Sequence, residues 1–157
     1  MNLEEKIVHE LLEKGYTVTT AESCTGGLLA GRILNVSGAS GVYNEGYITY
    51  SNEAKERLLG VSKETLEQYG AVSEQTAKEM AEGVAKVASA DIGISTTGIA
   101  GPGGGTTEKP VGLVYIACSI FGKITVKKCF FSGNREENRN AAVEEALKLL
   151  QKCLEKA

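Results

Sequence analysis

The chain has 157 residues, of which 24% are charged, and its formal net charge is −3. This length favours one domain, residues 1–157, with an adequate hydrophobic core. The acidic balance argues against a nucleic-acid-binding protein, because such proteins usually carry a basic surplus. It still allows a small anionic ligand, since a local site can be positive on a negative protein.

Membrane, secreted and metal-dependent proteins are also disfavoured. No stretch approaches the roughly 18 apolar residues that span a bilayer, and the charged, helix-patterned first segment is unlike a signal peptide. Four cysteines without C-x-x-C spacing are typical of reduced thiols, so we expect a cytoplasmic protein without membrane contact. One histidine, His9, and one aspartate, Asp91, are too few for a zinc site or most catalytic triads. We therefore expect a solvated His9, no metal and no cofactor.

Hydrophobic periodicity and turn residues predict helices that alternate with strands. In chain order we expect a helix up to residue 14, a strand over 16–20, a helix over 25–34, a strand over 42–50, short helices over 52–59 and 63–69, a helix over 74–88, strands over 92–97, 111–120 and 124–131, and a helix from 134 to about 154. This order predicts an α/β protein, a three-layer α/β/α sandwich with a mixed sheet, ending in an antiparallel hairpin and a C-terminal helix.

A glycine-rich turn joins the first strand to the helix that follows, and Ser23 lies in it. Ligands collect beyond the carboxyl ends of strands in open α/β sheets. The amides of Thr25, Gly26 and Gly27 would form or adjoin a helix N-terminus, where they can bind a phosphate or stabilise an oxyanion. A serine that only caps the helix explains Ser23 alone equally well.

A second glycine-rich turn follows a buried strand at Thr97 and Gly98 and continues to Gly105. It is similar to an anion-binding or lid loop, but the Gly-Lys-Ser/Thr of a Walker motif is absent. A plain surface loop is the alternative interpretation.

Lys55 is the candidate base. A serine nucleophile without a suitable histidine needs another base, and a desolvated lysine with a lowered pKa can act in this way. Tyr50 could bridge or orient the pair of Ser23 and Lys55. Cys24 is a rival nucleophile, although strand geometry directs it to the opposite side from Ser23. An ordinary solvated helix lysine is the alternative for Lys55.

Five ordered segments carry a resemblance to a known family. They are TAESCTGG at 20–27, YSNEAK at 50–55, GAVS at 70–73, GIAGPGG at 98–104 and KPVG at 109–112. Together they resemble the carboxy-terminal domain of the competence/damage-inducible protein CinA, the nicotinamide-nucleotide amidase family, over essentially the whole chain. We find no counterpart of the amino-terminal domain of full-length CinA proteins, so we expect the stand-alone form.

This resemblance implies hydrolysis of the carboxamide of nicotinamide mononucleotide, which gives nicotinic acid mononucleotide and ammonia. It implies a serine nucleophile and a lysine base at Ser23 and Lys55, no metal, and a small-molecule nucleotide as the substrate. Tyr50 and Thr97 match positions that shape the family's pocket. The resemblance also makes a homodimer an expectation.

An arginine of the final segment matches a further pocket position. It is Arg135, in SGNR where SGDR is common in relatives, or Arg139, and either could bind the phosphate. The cationic pyridinium ring could lie against Tyr50. A non-catalytic nucleotide-binding or regulatory module is the alternative function, because it would not need Ser23 or a perturbed Lys55. The candidate site comprises Ser23, Lys55 and Tyr50 as catalytic residues and Thr25, Gly26, Gly27, Thr97, Gly98, Arg135 and Arg139 as substrate-binding residues.

Overall fold

The computed structural model describes residues 1–157, and a five-stranded mixed sheet forms its middle layer. The strands are β1 (Val18–Glu22), β2 (Tyr47–Ile48), β3 (Ile92–Gly98), β4 (Leu113–Ile120) and β5 (Lys123–Phe130). Their order across the sheet is β2-β1-β3-β4-β5. β2 and β3 run parallel to β1, whereas β4 and β5 continue the sheet antiparallel. The mixed sheet and its hairpin confirm the predicted fold class.

Helices cover both faces of this sheet. They are α1 (Leu3–Lys14), α2 (Leu28–Leu34), α3 (Asn52–Leu59), α4 (Lys63–Tyr69), α5 (Glu74–Val87) and α6 (Arg135–Lys156). α1, α2 and α6 pack together on one face, and α5, with α3 and α4 beside it, packs on the other. The three-layer sandwich is therefore confirmed as well. None of the helices combines the length and the apolarity that crossing a membrane requires.

Two apolar layers hold the helices to the sheet. The larger lies under α1, α2 and α6, and joins strand residues such as Ile94 and Ile116 to helix residues such as Ile7 and Leu147. All four cysteines belong to this layer as free thiols. The smaller layer, which includes Met80 of α5, lies on the other face. His9 is exposed on α1, as expected.

The predicted strand over 42–50 is the largest difference from expectation. Only β2 joins the sheet in regular pairing, and Val18 and Tyr43 add an isolated parallel bridge. Thr19 Oγ1 of β1 donates to the Glu45 carbonyl oxygen at 2.7 Å. With the Val18 amide, which donates to the Val42 carbonyl oxygen at 2.8 Å, this contact holds the segment before β2 against β1 without a regular ladder.

Other elements differ from expectation at their ends. β1 starts two residues later and extends to Glu22, which pairs with Thr96 of β3. α2 begins at Leu28, because the three residues before it form the turn that positions the site. β4 begins at Leu113, since Gly112 takes a left-handed φ of +94° that a strand residue does not adopt. Asn134 and the side chain of Glu137 form the predicted capping box of α6.

Candidate active site

The carboxyl ends of the three parallel strands meet at one edge of the sheet and form a cleft of about 160 Å³. Ser23 follows β1, Tyr50 lies just after β2, and Thr97 is near the end of β3; all three line the cleft. Lys55 of α3 and Arg135 of α6 complete the set of polar side chains there. The topology therefore places the candidate site where open α/β sheets bind ligands.

Ser23 and Lys55 are in direct contact in this cleft. Lys55 Nζ lies 3.0 Å from Ser23 Oγ and donates to the carbonyl oxygens of Thr49 at 2.8 Å and Tyr50 at 3.2 Å. α3 brings the lysine here because Ser51 caps the helix, its Oγ accepting from the Ala54 amide at 3.0 Å. The pair that the sequence analysis assembled by elimination is thus a contact pair, and Ser51 serves as the helix cap.

The environment of Lys55 disfavours its charged form. The side chain is only 1% exposed, and burial lowers its pKa from 10.5 to about 8. A neutral amine has two N–H groups and one lone pair. Its N–H groups can serve the two carbonyl oxygens, which leaves the lone pair for the proton of Ser23. Lys55 is therefore not a solvated helix lysine, and it has the geometry of a base.

Cys24 is poorly suited to be the nucleophile. Its side chain belongs to the larger apolar layer, and burial raises the pKa of its thiol to about 11. The thiolate, which is the reactive form, is therefore scarce at neutral pH. Ser23 remains the candidate nucleophile.

A buried carboxylate occupies the N-terminus of α2. Glu22 is 1% exposed, and its oxygens accept from the amides of Gly27 at 3.1 Å, Leu29 at 2.9 Å and Ala30 at 3.0 Å. The Gly26 amide donates to the Ser23 carbonyl oxygen at 3.2 Å. The expectation that the amides of Gly26 and Gly27 are free for a phosphate or an oxyanion is therefore wrong, because the protein supplies its own anion.

Two other amides of this turn have no acceptor within the chain. They belong to Cys24 and Thr25, the residues directly after Ser23. The Thr25 hydroxyl is already engaged, because it donates to Glu22 Oε1 at 2.6 Å and shares a hydrogen bond with Thr96 Oγ1. Of the predicted donors in this turn, only the Thr25 amide is unengaged.

Thr97 and Gly98 shape the cleft at the end of β3. Thr97 Oγ1 donates to the Ala71 carbonyl oxygen at 2.8 Å and so fastens the segment between α4 and α5 that lines one wall. There is no room for a side chain at Gly98, since a Cβ there would stand 2.5 Å from Val114 and 2.7 Å from the Leu113 carbonyl oxygen. Both residues line the cleft, as predicted.

Tyr50 is placed differently from the expected bridge. Its ring is 66% exposed and its hydroxyl accepts from Arg135 Nη2 at 3.3 Å, away from Ser23 and Lys55. Only its carbonyl oxygen contacts Lys55. Arg135 Nη1 also donates to the Gly101 carbonyl oxygen at 2.8 Å. Tyr50 and Arg135 thus form an outer wall.

A wider cleft of about 500 Å³ lies outside this wall. Arg135 and Ala100 line both clefts, so the two spaces adjoin at these residues. The outer cleft also borders the exposed Pro102 and the N-terminal residues Asn134 and Glu136 of the α6 region. A ligand with a small buried end and a larger outer end matches this shape.

The two candidate arginines have different positions. Arg139 does not line the cleft, and instead its Nε donates to the Cys24 carbonyl oxygen at 2.9 Å and its Nη2 to that of Thr25 at 3.2 Å.

Asn138, which the sequence analysis missed, is 1% exposed and donates to the Ala100 carbonyl oxygen at 2.9 Å. A polar residue on the same helical face as two arginines was the signal that could have found it.

The second glycine-rich turn is held by contacts at its ends. Residues 102–108 are exposed, and Lys109 donates to the Tyr69 carbonyl oxygen, outside the cleft. Gly101 is buried beneath Arg135, whose guanidinium binds its carbonyl oxygen. No group of three or more His, Cys, Asp and Glu side chains is arranged to hold a metal ion.

Comparison with known proteins places this chain in a family. The family model described as "CinA C-terminal domain" matches residues 1–154. A protein of Clostridium botulinum (strain Okra / Type B1), named as competence-damage inducible, is 57% identical over 154 residues. A "CinA-like protein" of Kosmotoga olearia is 57% identical over 153 residues. Each match covers 98% of this chain, and the chain spans 38% and 37% of the length of these two relatives.

Solved structures share the whole fold. The competence/damage inducible protein CihA from Agrobacterium tumefaciens is 44% identical with a TM-score of 0.94, and the match covers 98% of this chain and 93% of that one. A CinA superfamily protein from Klebsiella pneumoniae is 37% identical with a TM-score of 0.95, over 99% of this chain and 97% of that one. With a sequence match over nearly its whole length and a common fold, the chain belongs to the CinA C-terminal domain family.

Proposed function

We propose that this protein is an amidohydrolase that converts nicotinamide mononucleotide to nicotinic acid mononucleotide and ammonia. The observation that carries the proposal is the contact between Ser23 Oγ and the buried Lys55 Nζ at 3.0 Å. A serine beside a lysine with a lowered pKa is an activated nucleophile. The substrate is the one that the resemblance of the sequence motifs implies.

In the first half of the reaction Lys55, in its neutral form, accepts the proton of Ser23 while Oγ attacks the carboxamide carbon. The negative charge that develops on the amide oxygen needs nearby N–H donors. The resulting ammonium of Lys55 then returns its proton to the leaving nitrogen, and ammonia departs from an acyl-enzyme. A water molecule hydrolyses this ester in the second half, with Lys55 again as the base.

The two adjoining clefts support the orientation of the nucleotide. The carboxamide end fits the inner cleft beside Ser23, and the cationic pyridinium ring faces Tyr50. The ribose and phosphate extend into the outer cleft, where Arg135 is the cation at the boundary. Arg135 is therefore the proposed phosphate ligand, and the N-terminus of α2 is not, since Glu22 fills it.

The direct test is ammonia release from nicotinamide mononucleotide by the purified protein. Wild type should turn the substrate over, and Ser23→Ala should reduce kcat by at least about a thousandfold. Binding of the nucleotide to Ser23→Ala should stay within a few-fold of wild type, because Ser23 acts in the chemical step. Ser37→Ala, which removes an exposed hydroxyl that does not line the cleft, is the matched control and should behave as wild type.

Two outcomes contradict the proposal. Tight binding without ammonia release would favour the non-catalytic nucleotide-binding module. Full activity in Ser23→Ala would remove the serine from the nucleophile role and direct attention to Cys24.

A further inference from the structure

The Thr25 amide is a hydrogen-bond donor without a partner. Thr25 is fully buried and its N–H has no acceptor within the chain. Buried backbone amides are nearly always paired, so an unpaired one calls for a ligand or a role in the reaction. It lies two residues after Ser23, the proposed nucleophile.

The direction of the Thr25 N–H follows from the contact made by the Cys24 carbonyl, which belongs to the same peptide unit. A trans peptide is planar, so the Cys24 carbonyl and the Thr25 N–H point in opposite directions. Arg139 Nε binds that carbonyl oxygen at 2.9 Å from α6, on one face of the sheet. The Thr25 N–H therefore points away from the Arg139 guanidinium, and Cys24, whose carbonyl belongs to the same peptide unit, lines the cleft beside Ser23 and Lys55.

The turn leaves room for this guanidinium at Gly26. A Cβ at Gly26 would stand 3.0 Å from Arg139 Nη2, and its φ of +57° favours glycine. Arg139 Nη2 donates in addition to the Thr25 carbonyl oxygen at 3.2 Å, so one rigid guanidinium spans two successive peptide units. A cation bound to a carbonyl also polarises the peptide, which strengthens its N–H as a donor.

We propose that Arg139 is a positioning residue that aims and polarises the Thr25 amide as an oxyanion donor for Ser23. The inference rests on the proposed function and deepens it. When Ser23 Oγ attacks, the bond from carbon to oxygen becomes single and its oxygen carries the negative charge. The Thr25 N–H, assisted by the neighbouring Cys24 N–H, donates to that oxygen until ammonia leaves and the double bond forms again.

Arg139→Met is the test, because it keeps an unbranched side chain and removes every donor. Loss of an oxyanion donor costs about 10² to 10³ in kcat, so a misdirected one should cost at least about thirtyfold. KM should change by less than about threefold, because the guanidinium does not touch the substrate. The loss should be equal on nicotinamide mononucleotide and on the phosphate-free riboside. Arg139→Lys, which keeps one charged donor for the Cys24 carbonyl, should recover a large part of kcat.

Arg32→Met is the matched control for a merely structural effect. Arg32 is half-buried like Arg139, and it binds Glu4 and Glu144 away from the cleft. It should lower the melting temperature without lowering kcat under conditions where the variant is folded. If Arg139→Met unfolds, Gly26→Ala, whose Cβ would crowd the guanidinium, carries the same comparison of kcat with KM.

A second readout does not depend on the substrate. A fluorophosphonate probe reacts when Ser23 Oγ attacks phosphorus, fluoride leaves and Lys55 takes the serine proton, and the charge on the phosphoryl oxygen uses the same donors. Labelling should be slower in Arg139→Met by a factor comparable to the loss in kcat, and absent in Ser23→Ala. Arg32→Met should label at the wild-type rate.

The outcomes separate this inference from the proposed function. If Arg139→Met labels more slowly than wild type but wild type releases no ammonia, the inference holds and the proposed substrate is refuted. Normal kcat and labelling in Arg139→Met, or a rise in KM confined to the phosphorylated substrate, would overturn the inference and leave the amidase. A wild-type protein that neither labels nor releases ammonia would overturn both.

Discussion

Replacing Lys55 by methionine should change how the stability of the protein depends on pH. Below pH 8 the folded protein holds Lys55 as a buried cation, whereas the unfolded chain hydrates it, so the charged lysine opposes folding. Between about 8 and 10.5 the unfolded chain binds a proton that the folded protein does not, so the free energy of unfolding rises with pH. Methionine cannot titrate, and this rise should be absent in Lys55→Met.

The size of the effect follows from the lowering of the pKa. A change from 10.5 to about 8 corresponds to at most about 3 kcal/mol over the whole titration. Between about pH 7 and pH 9.5 it amounts to about 2 kcal/mol, and residual solvent screening reduces this toward about 1 kcal/mol. The stability of wild type relative to Lys55→Met should therefore increase by about 1 to 2 kcal/mol across this range.

Urea unfolding of both proteins at several pH values measures this difference directly. Lys78→Met, which replaces an exposed lysine of α5, is the control, and its difference from wild type should stay constant with pH. The comparison needs no substrate and tests only the state of Lys55. A constant difference between wild type and Lys55→Met would show that the lysine remains an ordinary cation, and it would then be unable to accept the proton of Ser23.

Three further predictions concern activity. The value of kcat/KM should rise with pH around pH 8, where Lys55 loses its proton. Lys55→Arg should be almost inactive because the guanidinium group stays charged, and normal activity in that variant would show that Lys55 is not the base. Arg135→Ala should raise KM for the mononucleotide by about ten- to a hundredfold and leave KM for the riboside unchanged, and equal changes on both would mean that Arg135 does not bind the phosphate. Dialysis against EDTA should leave the activity unchanged, whereas a loss that added metal restores would contradict the expectation of a metal-free site.

The sequence was sufficient for the fold class, and it singled out two side chains that are in contact in the candidate site. Alternating helix and strand patterns predict the layers, and the scarcity of histidine leaves a lysine as the base that could activate Ser23. The contact between Ser23 and Lys55 agrees with that elimination. The expected homodimer and cytoplasmic location stay predictions.

The sequence was insufficient to predict which hydrogen-bond partners the side chains and amides of the candidate site have within the chain. The amides of Gly26 and Gly27 were expected to bind a phosphate or an oxyanion, but the first donates to the Ser23 carbonyl oxygen. The second donates to Glu22, which lies before the turn and also accepts from the amides of Leu29 and Ala30. Known capping patterns place the capping side chain at the first helical boundary, and this carboxylate lies outside that window. Likewise, no pattern in the chain distinguishes Arg135 from Arg139, because both lie on one helical face and only the packing of α6 separates their partners.

The contacts of α6 also bear on the order in which the protein becomes functional during synthesis. Arg135, Asn138 and Arg139 fasten both glycine-rich turns from one helical face, through the carbonyl oxygens of Gly101, Ala100, Cys24 and Thr25. Both turns leave the ribosome before this helix does. A nascent chain therefore carries Ser23 and Lys55 early, but the contacts of Arg139 with the turn around Ser23 form only once the last helix has packed.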